Sequence, residues 1–239
     1  MDIYITCSIR QLYLEGREFM LKFENNCHNN ILCYYIGMII LDFTSLVVIP
    51  LVIYIITKNP IVTIVFLCFC LRFLNSPDKK LIKERVQQNV FYSPSSGYIR
   101  EITTDDTYTT ISLFLNVFDN HTQYIPISSN VISIQKFSGL FTPAFLEHSI
   151  NNTRVKTTLH NPKLNFQYTI TQITGLLTRR ILNFLQTHPQ NTLLTPGERL
   201  GFIVLGSRVD ITIPNKNIKQ ILVKQGDHVN SMEGIMLVK

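Results

Sequence analysis

Residues 31–57, ILCYYIGMIILDFTSLVVIPLVIYIIT, carry one charge, Asp42, along a run long enough to span a hydrocarbon core of about 30 Å. No other feature limits the fold so strongly, because a segment this apolar has to be removed from water. Lys58-Asn59-Pro60 interrupts it, and IVTIVFLCFCLRFL (61–74) resumes it. The second run is short for a full crossing, with Arg72 placed to snorkel toward the interface. The apolar stretch is too long and starts too late for a secretory signal peptide, and no small-residue cleavage pattern follows it. We expect an N-terminal segment (1–30), a membrane-anchoring helical hairpin (31–75), a basic linker (76–90) and a separate domain (91–239). Arg10, Arg17 and Lys22 precede the first run, while Lys79, Lys80, Lys83 and Arg85 follow the second. Two crossings would put both basic flanks, and the domain, on the cytoplasmic side. One crossing plus a re-entrant segment is the other arrangement open. Asp42 reads as structural, with backbone near Pro50 and water as its partners.

The formal net charge of +6 suits work beside an anionic surface. No dense Lys/Arg stripe interleaved with aromatics is present, so a membrane is favoured over nucleic acid. All five cysteines, Cys7, Cys27, Cys33, Cys68 and Cys70, precede residue 71, and their odd number and spacing argue against a disulfide framework. Cys68-x-Cys70 lies in an apolar run without a nearby histidine, which reads as buried or lipid-facing thiols rather than a metal site.

From residue 91 the pattern changes to short β-branched and aromatic runs at 109–118, 131–137, 154–159, 165–175, 199–206, 208–214 and 219–224, separated by polar, Gly, Pro or Asn clusters. LLTRRILNFLQTH (176–188) has helical spacing. The expected fold is a mostly β (β-rich α+β) domain with one or two helices. No GxGxxG, P-loop, HExxH or GxSxG occurs.

Within this domain FIVLGSRVDITIP (202–214) is an apolar strand broken by Gly206-Ser207. Such a pair in a strand usually marks a bulge. Glycine also leaves its carbonyl without a neighbouring Cβ and permits unusual backbone angles, and a hydroxyl follows directly between two strands.

Several blocks together resemble the phosphatidylserine decarboxylases, in the short form with membrane segments ahead of the catalytic domain. They are FLNSPDKK (73–80), YSPSSGYI (92–99), LFLNVFDNHTQYIPISSNV (113–131), NNTRV (151–155), TQITGLLTRRI (171–181), GERLGFIVLGSRVDITIP (197–214) and LVKQGDHVNSMEGIMLV (222–238). The resemblance runs from about residue 31 to the C-terminus. It implies cleavage between Gly206 and Ser207, with Ser207 becoming an N-terminal pyruvoyl group, the electron sink for decarboxylating phosphatidylserine to phosphatidylethanolamine. A small chain, 207–239, would then accompany a membrane-bound large chain, and a homo-oligomer is compatible with this. His121, in FDNHTQYIP, is implied as the proton-transfer group, with Asp119 beside it; an imidazole suits that task at neutral pH. Arg208 would bind substrate phosphate or carboxylate, or else pair with Asp210, since the two share a strand face while Ser207 and Val209 take the other. His148, His160, His188 and His228 read as ordinary, and Arg179 and Arg180 as a basic face near a membrane.

The family pattern S-P-A-D-G is Ser93-Pro94-Ser95-Ser96-Gly97 here, so Ser96 stands where an aspartate is held to orient the histidine. The stretch Asn152-Thr153-Arg154-Val155 lacks the family's glutamate, and Tyr124 stands where an arginine or second histidine is usual. Asp105, Asp106 and Asp119 are the carboxylates that could substitute. Two functions follow: a self-processing decarboxylase, or an unprocessed decarboxylase-fold protein that binds lipid or serves as a scaffold.

Overall fold

The computed structural model describes residues 49–73, 86–116, 118–140, 142–144, 146–175, 181–187, 192–203 and 207–239. The N-terminal segment, most of the first apolar run with Asp42, most of the basic linker, Arg179, Arg180, His188 and Gly206 lie outside these residues.

Two helices open the described chain: α1 (Ile49–Thr57) and α2 (Pro60–Phe73). The Lys-Asn-Pro break behaves as its chemistry requires. Lys58 takes a left-handed φ of 51° and its N–H returns to the Tyr54 carbonyl, closing α1. Asn59 then caps α2, its Oδ1 accepting from Ile61 N at 2.9 Å, with Pro60 at the first helical position. At 9 and 14 residues the helices are about 14 and 21 Å long. Among the described residues no helix is long and apolar enough to cross a membrane. Of the expected spanning hairpin, the structure therefore shows only these two short helices.

Among the described residues that follow are fourteen strands: β1 (Val90–Tyr92), β2 (Gly97–Thr104), β3 (Tyr108–Leu115), β4 (Thr122–Tyr124), β5 (Ser129–Phe137), β6 (Arg154–Asn161), β7 (Phe166–Ile173), β8 (Ile181–Asn183), β9 (Leu193–Leu194), β10 (Arg199–Ile203), β11 (Ser207–Pro214), β12 (Ile218–Ile221), β13 (His228–Val229) and β14 (Gly234–Val238). Eight form one antiparallel sheet in the order β13-β2-β3-β11-β7-β6-β5-β9. Two three-stranded sheets, β1-β14-β12 and β4-β10-β8, complete the fold. Alternation decides which residues go inside. Ile111, Leu113 and Leu115 of β3 lie opposite Ile211, Val209 and Ser207 of β11, and all are buried. Phe166, Tyr168 and Ile170 fill the matching face of β7. Each fully buried side chain of this size contributes about 1.5–3 kcal/mol relative to exposure.

Helical spacing misleads at 181–187, the part of 176–188 that lies among the described residues. Ile181–Asn183 is strand β8, paired antiparallel with β10, and Phe184–Thr187 is a 3₁₀ turn. Pairing with β10 overrides the local periodicity, and Asn183 Oδ1 accepts from Leu185 N at 3.1 Å to turn the chain. Among the described residues of 91–239 the helical segments are all 3₁₀ turns.

The small sheet is tied to the large one by buried amides. Gln172 on β7 continues the inward row of Phe166, Tyr168 and Ile170, and its Nε2 donates to Gln123 Oε1 at 2.8 Å. Asn183 Nδ2 donates to Gln172 Oε1 (3.2 Å) and to Thr157 Oγ1 (2.9 Å). Gln123 Nε2 donates to the His121 carbonyl at 2.6 Å. All four polar side chains are fully buried, so each bond satisfies a group that water cannot reach. Gly201 makes the junction fit: a Cβ there would lie 2.6 Å from Gln172 Nε2 and closer still to the Leu182 carbonyl oxygen. Gly201→Ala should therefore destabilise the full chain by about 1–3 kcal/mol through overpacking. A thermal melt in detergent checks this, and an unchanged melting temperature would contradict the packing described.

Candidate active site

Ser207 is the first residue of β11 and sits at the end of the large sheet, opposite Leu115 of β3. It is fully buried, and its Oγ has no hydrogen-bond partner in the structure. An unpaired buried hydroxyl costs about 1–3 kcal/mol and calls for an explanation. The Tyr124 hydroxyl is also buried without a partner. Behind Ser207, Arg208 and Asp210 share a face, with Arg208 Nε 2.6 Å from Asp210 Oδ1. The other two guanidinium nitrogens reach Ser112 Oγ (3.0 Å) and Ser149 Oγ (3.3 Å), the latter in the 3₁₀ turn Glu147–Asn151. With Arg208 6% and Asp210 5% exposed, the guanidinium is occupied by protein oxygens and faces away from solvent. A buried pair of this kind holds geometry more than it adds stability.

β3 leads from Leu115 into the turn that carries Asp119 and His121. Asn116 and Asn120 fold it with their side-chain oxygens, which accept from Phe118 N (2.7 Å) and Thr122 N (2.9 Å). His121 then enters β4, where its carbonyl accepts from Ile203 N, the last residue of β10. The histidine thus lies alongside the strand end that runs on to Gly206 and Ser207. Its ring is fully buried, and Nδ1 lies 2.8 Å from the Asp119 carbonyl oxygen. A carbonyl can only accept, so Nδ1 carries the proton and Nε2 is the basic nitrogen. Burial holds the His121 pKa below the ordinary imidazole value, while the Asp119 carbonyl and the Asp119 charge pull it upward.

Asp119 does more than support His121. Its Oδ2 accepts from Asn116 N at 2.8 Å, and its Oδ1 lies 2.8 Å from His228 Nε2. Asp119 is buried and the His228 side chain is 37% exposed. His228, read as ordinary from the sequence, is therefore a hydrogen-bond partner of a site carboxylate. It arrives through β13, which pairs His228 with Tyr98, and the Tyr98 ring meets the imidazole edge-on at 4.7 Å between centroids.

The Ser93–Gly97 loop is clamped between this turn and the C-terminal tail. Ser93 N donates to the Glu233 carbonyl, Tyr124 N to the Pro94 carbonyl, and Ser95 Oγ to the Asn120 carbonyl at 3.4 Å. Ser96 Oγ lies 3.0 Å from Ser231 Oγ and accepts from Ser231 N at 3.0 Å. Gly97 lets the loop lie close against β3, since a Cβ there would lie 2.6 Å from the Phe114 carbonyl oxygen. Asp105 and Asp106 are remote. They lie in the β2–β3 turn at the Tyr108 end of β3, seven residues from Leu115 and so roughly 23 Å along the strand from Ser207. Asp105 caps that turn through Thr107 N and Tyr108 N.

Of the residues singled out from sequence, Asp119 and His121 share one turn; Ser207 adjoins its start, and Arg208 with Asp210 brace the strand behind. Ser96 turns instead toward the tail. Sequence reading passed over His228 and the buried amides of Gln123, Gln172 and Asn183. The signal for Gln172 was an amide at a core-facing position of an alternating strand. His228 offered none, because its partner is 109 residues away.

The phosphatidylserine decarboxylase family model matches residues 66–236. A phosphatidylserine decarboxylase proenzyme of Chlorobium chlorochromatii is 33% identical over 180 residues, covering 72% of this chain and 80% of that protein. A Methanococcoides burtonii protein, whose name describes an archaetidylserine decarboxylase proenzyme, is 30% identical, covering 72% of this chain and 76% of its own. A phosphatidylserine decarboxylase proenzyme of Streptomyces avermitilis is 33% identical over 143 residues, covering 59% of this chain and 62% of that protein. No solved structure matches. With a match across most of its length and relatives at this level of identity, the chain belongs to the phosphatidylserine decarboxylase family.

Proposed function

We propose that this chain cuts itself between Gly206 and Ser207 and then decarboxylates phosphatidylserine to phosphatidylethanolamine at a membrane. The observation that carries the reading is the Ser207 hydroxyl: buried at the head of a central strand, with no hydrogen-bond partner. Most buried hydroxyls are paired. A nucleophile and cofactor precursor has to keep its oxygen uncommitted.

In the cleavage step His121 Nε2 takes the Ser207 proton as Oγ attacks the Gly206 carbonyl carbon. The Gly206–Ser207 amide becomes an ester, and the proton passes to the departing nitrogen. Loss of the Ser207 α-proton then expels the Gly206 carboxylate. Water replaces the nitrogen at position 207, releasing ammonia. β11 contributes by immobility, since it is hydrogen-bonded on both sides, to β3 and β7, from Arg208 onward. Arg208 and Asp210 hold the strand behind the reacting residue.

Residue 207 would carry the resulting pyruvoyl group: Ser207 Oγ, held by no hydrogen bond, leaves with the Gly206 carboxylate, and the side-chain carbon becomes the methyl of that group. The group supplies a carbonyl that captures the substrate amine and accepts the electrons left by departing CO₂. In this reading His121 returns a proton to the product. The apolar runs of 31–75 anchor the protein where substrate acyl chains stay in the bilayer, with the basic flanks and the domain on the cytoplasmic side.

Ser96 favours a second reading, an unprocessed lipid-binding protein. Its hydroxyl is engaged by the tail, and no carboxylate stands in its place. What replaces that carboxylate at His121 is a neutral carbonyl, which fixes the tautomer but stabilises the imidazolium less. Loss of an orienting carboxylate costs about 10⁴ in rate in serine-protease triads. Slow maturation is therefore expected.

Denaturing electrophoresis and mass spectrometry of the purified chain should show a fragment that begins at position 207 and is blocked to Edman degradation, whereas Ser207→Ala stays full length. A wild-type chain that remains intact through long incubation would refute the decarboxylase reading in favour of the second.

The pH dependence has a definite sign. With His121 as base, the processing rate rises as the imidazole loses its proton and levels off above its pKa. Burial lowers that pKa, so the midpoint of the rise should lie below the ordinary imidazole value of about 6.5. A rise centred above that value in a time course across pH would remove His121 from this role.

A further inference from the structure

Three hydrogen bonds converge on Asp119. Its Oδ2 ties the turn to Asn116, next to the Leu115 that faces Ser207. Its carbonyl oxygen holds His121 Nδ1. Its Oδ1 is held by His228 Nε2, from beyond the Gly206–Ser207 bond. The first two belong to the turn itself. The third is the only one of them that reaches another part of the chain, and it sets where the carboxylate stands.

We propose that His228 is a positioning residue for self-cleavage: by holding the Asp119 carboxylate it fixes the turn that presents His121, a role filled from the C-terminal tail because Ser96 carries no carboxylate. This rests on the self-cleavage reading above. The tail is built for it. β13 is hydrogen-bonded to β2 at Gly97 and Tyr98, Tyr98 packs on the imidazole edge, and Tyr98 in turn pairs with Phe114 of β3. The imidazole is thereby registered to the same strand end that faces Ser207. Three residues on, Ser231 binds Ser96 through its backbone N–H and its hydroxyl. One short segment of the tail therefore secures both the loop that lacks the aspartate and the turn that carries the histidine.

The pair also constrains the chemistry. Asp119 is 8% exposed, so a carboxylate that lost His228 would keep one protein donor and turn toward water to recover the other. That rotation pulls on the backbone whose carbonyl fixes the His121 tautomer. His228 itself never needs to touch the reacting atoms.

The test uses the full chain made by cell-free translation into phosphatidylserine-containing vesicles, with cleavage followed by mass spectrometry after translation is arrested. His228→Ala should slow formation of the 207–239 fragment by about tenfold to a hundredfold, the scale of one lost charge-assisted hydrogen bond. His228→Gln, whose amide nitrogen can donate to the same oxygen, should restore most of the rate, and Asp119→Asn should be at least as slow as His228→Ala. A purely space-filling role would not separate Ala from Gln in this way at equal melting temperatures. Cleavage of His228→Ala at the wild-type rate overturns the assignment, as does an equal loss in the Ala and Gln variants when both melt like wild type. Should His228→Ala fail to fold, His228→Gln decides alone: a rate near wild type supports the role, and a rate equal to Asp119→Asn overturns it. An uncut wild-type chain is a different result, because it refutes the self-cleavage reading itself and this inference with it.

Discussion

A slip of one residue between β11 and β3 would turn Arg208 and Asp210 into the apolar core and Val209, Ile211 and Ile213 out of it. Side chains on a strand alternate, so register and burial are one decision. The observed ladder, running from Ser207 against Leu115 to Pro214 against Tyr108, satisfies both faces at once. Hydrocarbon meets hydrocarbon on one side, and on the other the guanidinium finds its carboxylate and two hydroxyls. That choice fixes Ser207 at the sheet end, on the core-facing side, where water does not reach its hydroxyl. The position of the candidate nucleophile follows from hydrophobic patterning in strands that take no part in chemistry.

Around this point the polar groups are arranged economically. Asp119 serves with three oxygens, and the buried amides pass hydrogen bonds in one direction from Asn183 through Gln172 and Gln123 to the His121 carbonyl, while Asn183 also donates to Thr157. His121 is therefore held at both ends of its residue, by a carbonyl at its ring and by an amide and Ile203 N at its backbone. Burial lowers the histidine's basicity more than the Asp119 carbonyl and the Asp119 charge raise it.

Much of this was legible in the sequence, for identifiable reasons. The central strands β3, β5, β6, β7, β10 and β11 announce themselves by β-branched runs of adequate length, and the Arg208–Asp210 pair follows from period-two geometry alone. The Lys-Asn-Pro break between the helices is local chemistry and reads directly. Short strands did not: β4, β9 and β13 have two or three residues each and exist because a partner strand is waiting. The same cause turned the helical periodicity of 181–187 into strand β8 and a 3₁₀ turn. His228 was opaque in a stronger sense. Nothing near it in sequence distinguishes it from the three other histidines placed in polar surroundings; only the fold delivers Asp119 to it.

The placement of β11 has a consequence for what a break before Ser207 would leave behind. The piece that starts there begins with a strand flanked on both sides in the middle of the eight-stranded sheet, and it goes on to supply β12, β13 and β14 to two sheets. The two fragments would share a single hydrophobic core and interleave too deeply to part as separate folded bodies. Severing the backbone would leave a strand-complemented complex whose dissociation is the same event as its global unfolding. A chain built this way can lose a covalent bond at its centre and keep its architecture.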